Sequence, residues 1–490
     1  MTRVFAGIDV GTSAVKALLA DEDQHVVAEA SEALPISRPR PLWSEQDPED
    51  WWRVVGKAMA RLKQAAPDSF ASVRALGLSG QMHGAVLLDR ERAVLRPAIL
   101  WNDGRSYDEC RVLEQKLPDL GRIAGVPAMP GFTAPKLLWL AKHEPHVFSR
   151  VRTVMLPKDY VRFRLSGEIA TDMSDAAGTL WLDEATRAWS APVLAATGLT
   201  MEQMPRLVEG SDPSGTLRPD LAREWGLPQD VVIAGGGGDA AAGAVGIGAV
   251  SDGDAFVSLG TSGQYFVSMD AYRPFPEAFI HAFCHAVPDH WYHMAAMLNG
   301  ASCLAWAAKL VGAQSIDALL ARVEANYRGA GQIVFLPYLT GERTPHNDPY
   351  ARGVFFGLDV EASTEALIQS VLEGVAFSFA EAQDCLAMAG TRVDRVAAIG
   401  GGTRSPLWMR ILASAIDKPV MLYREGAAGP AFGAARLARL AVTGESVREV
   451  CKAPPVTEVI EPEAPLVDAY RSAGEKYRRL YRTLREEFRR

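Results

Sequence analysis

The stretch GIDVGTSAVKALLAD, residues 7–21, decides the fold of the first part of the chain. Two apolar runs flank Gly11-Thr12-Ser13, which predicts two strands joined by a tight turn. A phosphate-binding loop of the G-x-x-x-x-G-K-[ST] type would have to open a helix, and that string occurs nowhere in the 490 residues. The stretch therefore predicts a β-hairpin that carries one carboxylate, Asp9, inside its apolar first strand.

A second copy of this pattern occurs at residues 255–269, AFVSLGTSGQYFVSM. Its strand, Gly-Thr-Ser turn and strand indicate an internal duplication. We therefore expect two α/β domains, residues 1–248 and 249–490, each of a usual domain size. Residues 231–250 and 395–416 each predict a strand, a glycine turn and a helix, and residues 51–65 and 470–490 predict amphipathic helices.

Composition limits the class of protein. The chain is too long for one core, and 48% apolar with 22% charged residues is typical of a water-soluble protein. A net charge of −8, spread along the chain, argues against a nucleic-acid binder. Five scattered cysteines favour reduced thiols over disulfides or a zinc site. No signal-like or membrane-spanning segment is evident, so we expect a cytoplasmic protein with no membrane partner.

Asp9 needs a partner if it is buried, because an unpaired ionised carboxylate is costly inside a protein. Backbone N–H groups of a Gly-Thr-Ser turn suit anions, and a neighbouring acid can hold the magnesium that accompanies phosphate. The alternative is that Asp9 merely caps the turn. Two such turns favour two phosphate clamps across a cleft, formed by Gly11, Thr12 and Ser13 and by Gly260, Thr261 and Ser262.

Asp239 follows four consecutive glycines in GGGGDAAAG and begins a small-residue helix. Glycines let the backbone approach a ligand closely. Asp239 could simply cap the helix, since aspartate is a favoured N-cap residue. Capping alone does not require four glycines, so we favour a catalytic role for Asp239.

Two polar loops suit a sugar ligand: GQMHG at 80–84 and WNDGR at 101–105. Their Gln, His, Asn and Asp side chains can hydrogen-bond hydroxyl groups, and a Trp ring can stack on a C–H face. His83 by itself would more often be a structural histidine. IGGGTRSPLW at 399–408 matches only part of a dinucleotide fingerprint, so it could instead lie against an adenine ring, and a dehydrogenase reading would depend on this segment alone.

Together these motifs resemble the FGGY-type carbohydrate kinases, and the resemblance runs along the whole chain. Its carriers are GIDVGTSAVK, PLWSEQDPEDWW, GQMHG, LRPAILWNDGR, MPGFTAPKLLWL, LPKDY, SDAAGT, SLGTSG, FLPYLTGERTPHNDP and ARGVFFGL. Residues 131–139 resemble the first signature of the family. Residues 353–373 resemble the second, with Ala366 where a polar residue is usual.

The resemblance implies two ribonuclease-H-like domains, as in actin and hexokinase, flanking a cleft. ATP would lie against the second domain and sugar against the first. Asp239 would be the proton acceptor and Asp9 the acid that orients Mg²⁺. Sugar contacts would come from Met82, His83, Trp101, Asn102 and Asp103. Gly11, Thr12, Ser13, Gly260, Thr261 and Ser262 would flank the phosphates, with Thr12 and Thr261 steadying the transferring group, and Gly401 and Gly402 would meet adenosine.

The reaction implied by the most similar members is transfer of the γ-phosphoryl group of ATP to the 5-hydroxyl of D-xylulose. Ala240 departs from the family, which commonly has Asn or Gln directly after the catalytic aspartate. This leaves another pentulose, a polyol or glycerol open as the substrate. An actin-like ATPase without a sugar substrate is the alternative from another class. A homodimer is also left open.

Overall fold

The computed structural model describes residues 3–423 and 429–489, and its centre is a pair of mixed β-sheets. The N-terminal sheet has its main strands in the order Pro213–Thr216, Val232–Ala234, Val73–Gly80, Val4–Val10, Ala14–Asp21 and Val26–Ala33, with Gly237–Gly238 also paired to Val73–Gly80. Strands 4–10 and 14–21 form the expected antiparallel hairpin, with Asp9 opposite Lys16, while 73–80 lies parallel to 4–10. The opening stretch therefore supplies the middle of this sheet.

The C-terminal sheet repeats this arrangement. Its strand order is His281–Cys284, Trp291–Met297, Gly263–Met269, Ala255–Leu259, Val396–Ile399, Val420–Tyr423 and Val456–Ile460. Strands 255–259 and 263–269 form the second antiparallel hairpin, and 396–399 runs parallel beside 255–259. Both sheets thus combine a Gly-Thr-Ser hairpin with a parallel strand next to its first strand, which confirms the duplication expected from the sequence.

Smaller strand pairs extend the loops between the main elements. They are Glu45–Gln46 with Ala98–Ile99, Val86–Leu88 with Thr153–Met155, Arg206–Val208 with Ala170–Asp172, Leu182–Asp183 with Ala188–Trp189, and Val334–Leu336 with Val354–Phe356.

Helices cover both sheets. They are Pro48–Ala65, Pro67–Ala71, Tyr107–Lys116, Leu120–Ile123, Thr133–His143, Pro145–Phe148, Pro157–Ser166, Met173–Ala177, Ala191–Ala196, Pro219–Trp225, Asp239–Ile247, Ala301–Leu310, Ile316–Asn326, Thr364–Met388, Pro406–Ile416, Pro430–Thr443, Val447–Val450 and Ala464–Leu484. The helix expected at 51–65 begins earlier, at Pro48, because Asp47 caps it by accepting a hydrogen bond from Glu49 N. The amphipathic helix expected at 470–490 is part of Ala464–Leu484, and it buries Tyr470, Tyr477 and Tyr481.

Two helices connect the sheets at the centre of the molecule. Pro430–Thr443 lies along the chain between two strands of the C-terminal sheet, Val420–Tyr423 and Val456–Ile460. It nevertheless packs on the N-terminal sheet, so closely that a Cβ on Gly7 or Gly77 would collide with its backbone. Asp239–Ile247 packs against Pro430–Thr443 and shares a buried cluster with Phe256 and Phe266 of the C-terminal sheet. Because these helices lie between the sheets, the division of the chain at 248/249 stays a prediction.

Two further expectations concern cysteines and membranes. All five cysteines are free and buried. Across residues 3–423 and 429–489, every helix is too short or too polar to cross a bilayer.

Candidate active site

Two aspartates from different elements meet at the end of the N-terminal sheet. Asp9 lies in strand Val4–Val10, 9% exposed, and one of its carboxylate oxygens, Oδ1, is buried without a hydrogen-bond partner. Asp239 is the first residue of its helix, and its side chain is open to solvent. The N-cap is Gly238, so Asp239 does not cap the helix as the alternative required; its Oδ1 instead accepts a 2.8 Å hydrogen bond from Ala240 N.

The two carboxylates influence each other's ionisation. Protein packed around Asp239 raises its pKa to about 7, although solvent can reach the side chain, and the negative charge of Asp9 contributes to this rise. Burial raises the pKa of Asp9 to about 6, while the neighbouring Ser79 hydroxyl and the positive charge of Lys16 oppose the increase. Asp239 is thus poised to accept a proton near neutral pH. Lys16, which lies opposite Asp9 in the hairpin, was missed among the expected site residues.

Met82 and His83 line the wall beside Asp239. Met82 packs on Gly238, where a Cβ would come within 2.9 Å of its side chain. His83 has a left-handed backbone with φ of 70°, and its Nδ1 lies 2.8 Å from the Gly178 carbonyl oxygen. Burial lowers the His83 pKa well below its usual value, so the ring is neutral, and bonding of Nδ1–H to Gly178 leaves Nε2 as an acceptor.

Lys136 and Thr133 fix the loop that carries His83 by hydrogen bonds to its backbone. The Lys136 ammonium donates a 2.7 Å hydrogen bond to the His83 carbonyl, and the Thr133 hydroxyl donates to the same oxygen. These residues belong to the segment 131–139 that resembles a family signature. No role could be predicted for them from the sequence, because their partner is a backbone atom 50 residues away from Thr133 and 53 from Lys136.

Trp101 is tied to the first Gly-Thr-Ser turn by a chain of hydrogen bonds. Its Nε1 donates to Thr12 Oγ1 at 2.9 Å, and the Thr12 hydroxyl donates to Gln81 Oε1. Gln81 Nε2 donates to Gln46 Oε1, and Gln46 Nε2 donates to the Thr12 carbonyl. The sugar loop and the expected phosphate turn are therefore one connected unit, in which Gln46 was not anticipated.

Asp103 has a structural role in this loop. It is 2% exposed, and its oxygens accept hydrogen bonds from Ser44 N and from the backbone and guanidinium of Arg105. Its expected contact with sugar loses support, because these donors already occupy the carboxylate. Asn102 is exposed in the same turn.

The second Gly-Thr-Ser turn joins the glycine segment 400–402. A Cβ on Gly402 would collide with Leu259, and Gly400, at φ 96°, touches the Leu259 and Gly260 backbone. The Gly260 carbonyl accepts from Ala301 N at 2.7 Å. Residues 260–262, 401 and 402 thus form one surface, as an ATP site on the second half would require. Among the described residues, no hydrogen bond joins this surface to Gly11, Thr12 or Ser13.

A fully buried charge cluster supports the glycine loop before Asp239. Lys158 Nζ lies 2.7 Å from Asp159, 2.7 Å from Asp172 and 3.0 Å from Asp175. Arg162 donates to the Ala234 and Gly235 carbonyls, and Ser174 Oγ accepts from Gly238 N. Burial, together with the negative charges of Asp159 and Asp172, raises the pKa of Asp175 well above its usual value, although Lys158 opposes the rise. LPKDY and SDAAGT carry part of the family resemblance, but their sequences do not predict that they support the Asp239 loop.

Comparison with known proteins decides the family. The model of the FGGY family of carbohydrate kinases, N-terminal domain, matches residues 4–246, and that of its C-terminal domain matches residues 255–442. The chain belongs to this family. It is therefore an ATP-dependent carbohydrate kinase, and the expected two-domain fold of the actin and hexokinase type is confirmed.

Individual relatives cover nearly the whole chain. A xylulose kinase of Escherichia coli K12 is 49% identical over 482 residues, covering 98% of this chain and 99% of its own. The crystal structure of a "xyloylose kinase" from Brucella ovis has a TM-score of 0.96 at 50% identity, with 99% and 100% of the two chains covered. A gluconate kinase from Lactobacillus acidophilus reaches 0.93 at 25% identity, covering 99% and 98%.

Proposed function

We propose that this FGGY kinase transfers the γ-phosphoryl group of ATP to the 5-hydroxyl of D-xylulose, giving D-xylulose 5-phosphate and ADP. The observation that carries the proposal is the position of Asp239, a carboxylate with a pKa of about 7 beside the wall formed by Met82 and His83. The choice of xylulose is supported by the 49% identical xylulose kinase of E. coli. The gluconate kinase with nearly the same fold indicates that the fold alone does not select the sugar.

In the proposed mechanism, Asp239 accepts the proton of the sugar 5-hydroxyl while the oxygen of that hydroxyl forms a bond to the γ-phosphorus. The bond from that phosphorus to the bridging oxygen breaks, and ADP leaves. Phosphoryl transfer depends mainly on positioning and charge stabilisation. Backbone N–H groups of the turn at Thr12, whose hydroxyl is held by Trp101 and Gln81, and Thr261 on the opposite surface are proposed to steady the transferring group. Closure of the cleft would exclude water that could otherwise hydrolyse ATP.

The proposal includes a Mg²⁺ ion, and the residues present fit such an ion. A buried carboxylate oxygen of Asp9 has no hydrogen-bond partner, and Mg²⁺ prefers carboxylate oxygens together with water and phosphate oxygens. Asp9 would hold the ion through this oxygen. When bound, Mg²⁺ neutralises charge on the terminal phosphates. Cytoplasmic location and a homodimer remain predictions.

Ala240 keeps the sugar question open. It is 8% exposed and offers no side-chain amide to a substrate. ADP release should therefore be measured with D-xylulose, D-ribulose, xylitol and glycerol. The proposal expects the highest kcat/KM with D-xylulose. A higher kcat/KM with another compound would make that compound the proposed substrate. ATP consumption that no sugar stimulates would favour an actin-like ATPase.

The role of Asp239 is tested by Asp239→Asn, with the exposed Asp230→Asn as a control for the charge change. Loss of the general base should lower kcat by about 10²- to 10⁴-fold while ATP and sugar still bind. Near-normal kcat in Asp239→Asn would remove this residue from the proton-transfer step.

A further inference from the structure

The segment FLPYLTGERTPHNDP, residues 335–349, carries part of the family resemblance but received no role in the expected site. Its Glu342 is 2% exposed and accepts hydrogen bonds from Leu298 N, Arg343 N and Asn299 Nδ2. The next hydroxyl, on Thr344, donates to the Phe279 carbonyl at 2.9 Å. The backbone on both sides of Arg343 is therefore fixed, and its side chain projects from a rigid support in the C-terminal half.

The Arg343 side chain reaches the sugar wall of the N-terminal half. Its Cζ lies 5.8 Å from the centre of the Trp101 ring. Its positive charge lowers the pKa of both His83 and His281, so the guanidinium lies near these rings as well. His281, from the C-terminal sheet, is 3% exposed and has a buried Nδ1 without a hydrogen-bond partner. Phe132 packs against both histidine rings and completes this corner of the cleft.

Among the half-buried arginines that the structure describes, Arg343 differs from the others in its lack of acceptors. Within residues 3–423 and 429–489, its guanidinium makes no hydrogen bond and no salt bridge. Arg187, by contrast, pairs with Glu209 and donates to the His290 carbonyl. A guanidinium offers five N–H donors, and leaving them without acceptors in a partly buried place is unfavourable. The position is thus suited to a ligand that brings oxygen acceptors.

The proposed reaction determines which end of a sugar ligand faces Asp239. The sugar end that carries the 5-hydroxyl must face Asp239, so the carbonyl end of a ketose points toward another part of the cleft. Arg343 lies over the ring of Trp101, in the loop expected to contact the sugar, and its charge also acts on His83 and His281. A carbonyl oxygen with its neighbouring hydroxyl can accept two hydrogen bonds from one guanidinium.

We propose that Arg343 is a specificity-determining residue whose guanidinium donates hydrogen bonds to the oxygens at the carbonyl end of a ketose substrate. The C-terminal half then contributes to a sugar site otherwise built by the N-terminal half. This inference rests on the proposed function in that it takes a ketose as the substrate.

The test compares Arg343→Met and Arg343→Lys with the wild type, using Arg328→Met as a matched control because Arg328 is exposed and donates only to backbone carbonyls. Binding of D-xylulose and of xylitol, in which the carbonyl is reduced, is measured calorimetrically without ATP, and KM and kcat are measured by ADP release. Loss of a charge-assisted bond should raise the Kd and KM for D-xylulose about tenfold or more in Arg343→Met. Xylitol binding should change less, Arg343→Lys should restore part of the loss, and KM for ATP should stay unchanged.

The inference is overturned if Arg343→Met keeps D-xylulose affinity within about twofold of the wild type, or if D-xylulose and xylitol lose affinity equally. A rise confined to KM for ATP would assign Arg343 to the nucleotide and would also overturn it. The two proposals can fail separately. If the wild type binds D-xylulose more tightly than Arg343→Met does but does not phosphorylate it, the proposed function fails and the Arg343 site stands.

Discussion

The pH dependence of the reaction follows from the pair formed by Asp239 and Asp9. Asp239 must be ionised to accept the hydroxyl proton, and its pKa is about 7. A base with this pKa is about 9% ionised at pH 6 and about 91% at pH 8, so kcat/KM for the sugar should rise about tenfold between these values. An ordinary surface aspartate would be ionised throughout this range and would give a flat profile.

The variant Asp9→Asn gives this prediction a second readout. The negative charge of Asp9 contributes to the raised pKa of Asp239, so its removal should move the midpoint of the profile to lower pH. The shift should appear even if overall activity falls, because it concerns the shape of the profile. The assay is ADP release with both ATP and sugar limiting from pH 5.5 to 8.5, so that the profile reports the ionisation of the free enzyme, with Asp230→Asn as the charge control.

Two results would refute the reasoning. A profile that is flat from pH 6 to 8 in the wild type would mean that Asp239 does not titrate near neutrality as the proton acceptor. A midpoint that stays in place, or rises, in Asp9→Asn would mean that the two carboxylates are not coupled through the cleft.

Three other substitutions probe the supports of the site. Lys158→Met leaves the buried Asp172 and Asp175 without their cation, while Asp159 keeps Arg162, and should lower the free energy of unfolding by roughly 3–5 kcal/mol in urea titrations, whereas the exposed Lys452→Met should be neutral. Gly402→Ala places a Cβ against Leu259 under the second turn and should raise KM for ATP with little change in KM for sugar; the reverse pattern would contradict an ATP site there. Gly178→Ala places a Cβ 2.5 Å from His83 Nδ1 and should raise KM for the sugar instead, so an unchanged value would argue against His83 as a sugar ligand.

Local pattern was sufficient for the hairpins and for the position of Asp9. Apolar runs on either side of a Gly-Thr-Ser turn predict two antiparallel neighbours, and both copies of the pattern formed such a pair. The same holds for the small-residue helix after the four glycines, although the capping alternative for Asp239 was excluded only by the backbone, which places Gly238 at the N-cap.

Contacts between distant segments were beyond sequence reasoning. Asp103 looked like a sugar ligand because it lies in a polar loop, but Ser44 and Arg105 use its oxygens. The hydrogen bond from Lys136 to the carbonyl of His83 could not be predicted from the sequence around Lys136. A side chain shows which bonds it can make, but only the fold determines which groups come within reach.

The sequence by itself determined the two hairpins, the α/β class, the family and the aspartates that the chemistry requires, because each is encoded in a few neighbouring residues. The tertiary structure decided how the halves share one cleft: Pro430–Thr443 packs on the sheet of the other half, and Arg343 reaches Trp101 across 242 positions of the chain. Such contacts depend on the path of the whole backbone and on close approach at Gly7 and Gly77, where the absence of a side chain lets a helix lie directly against a strand.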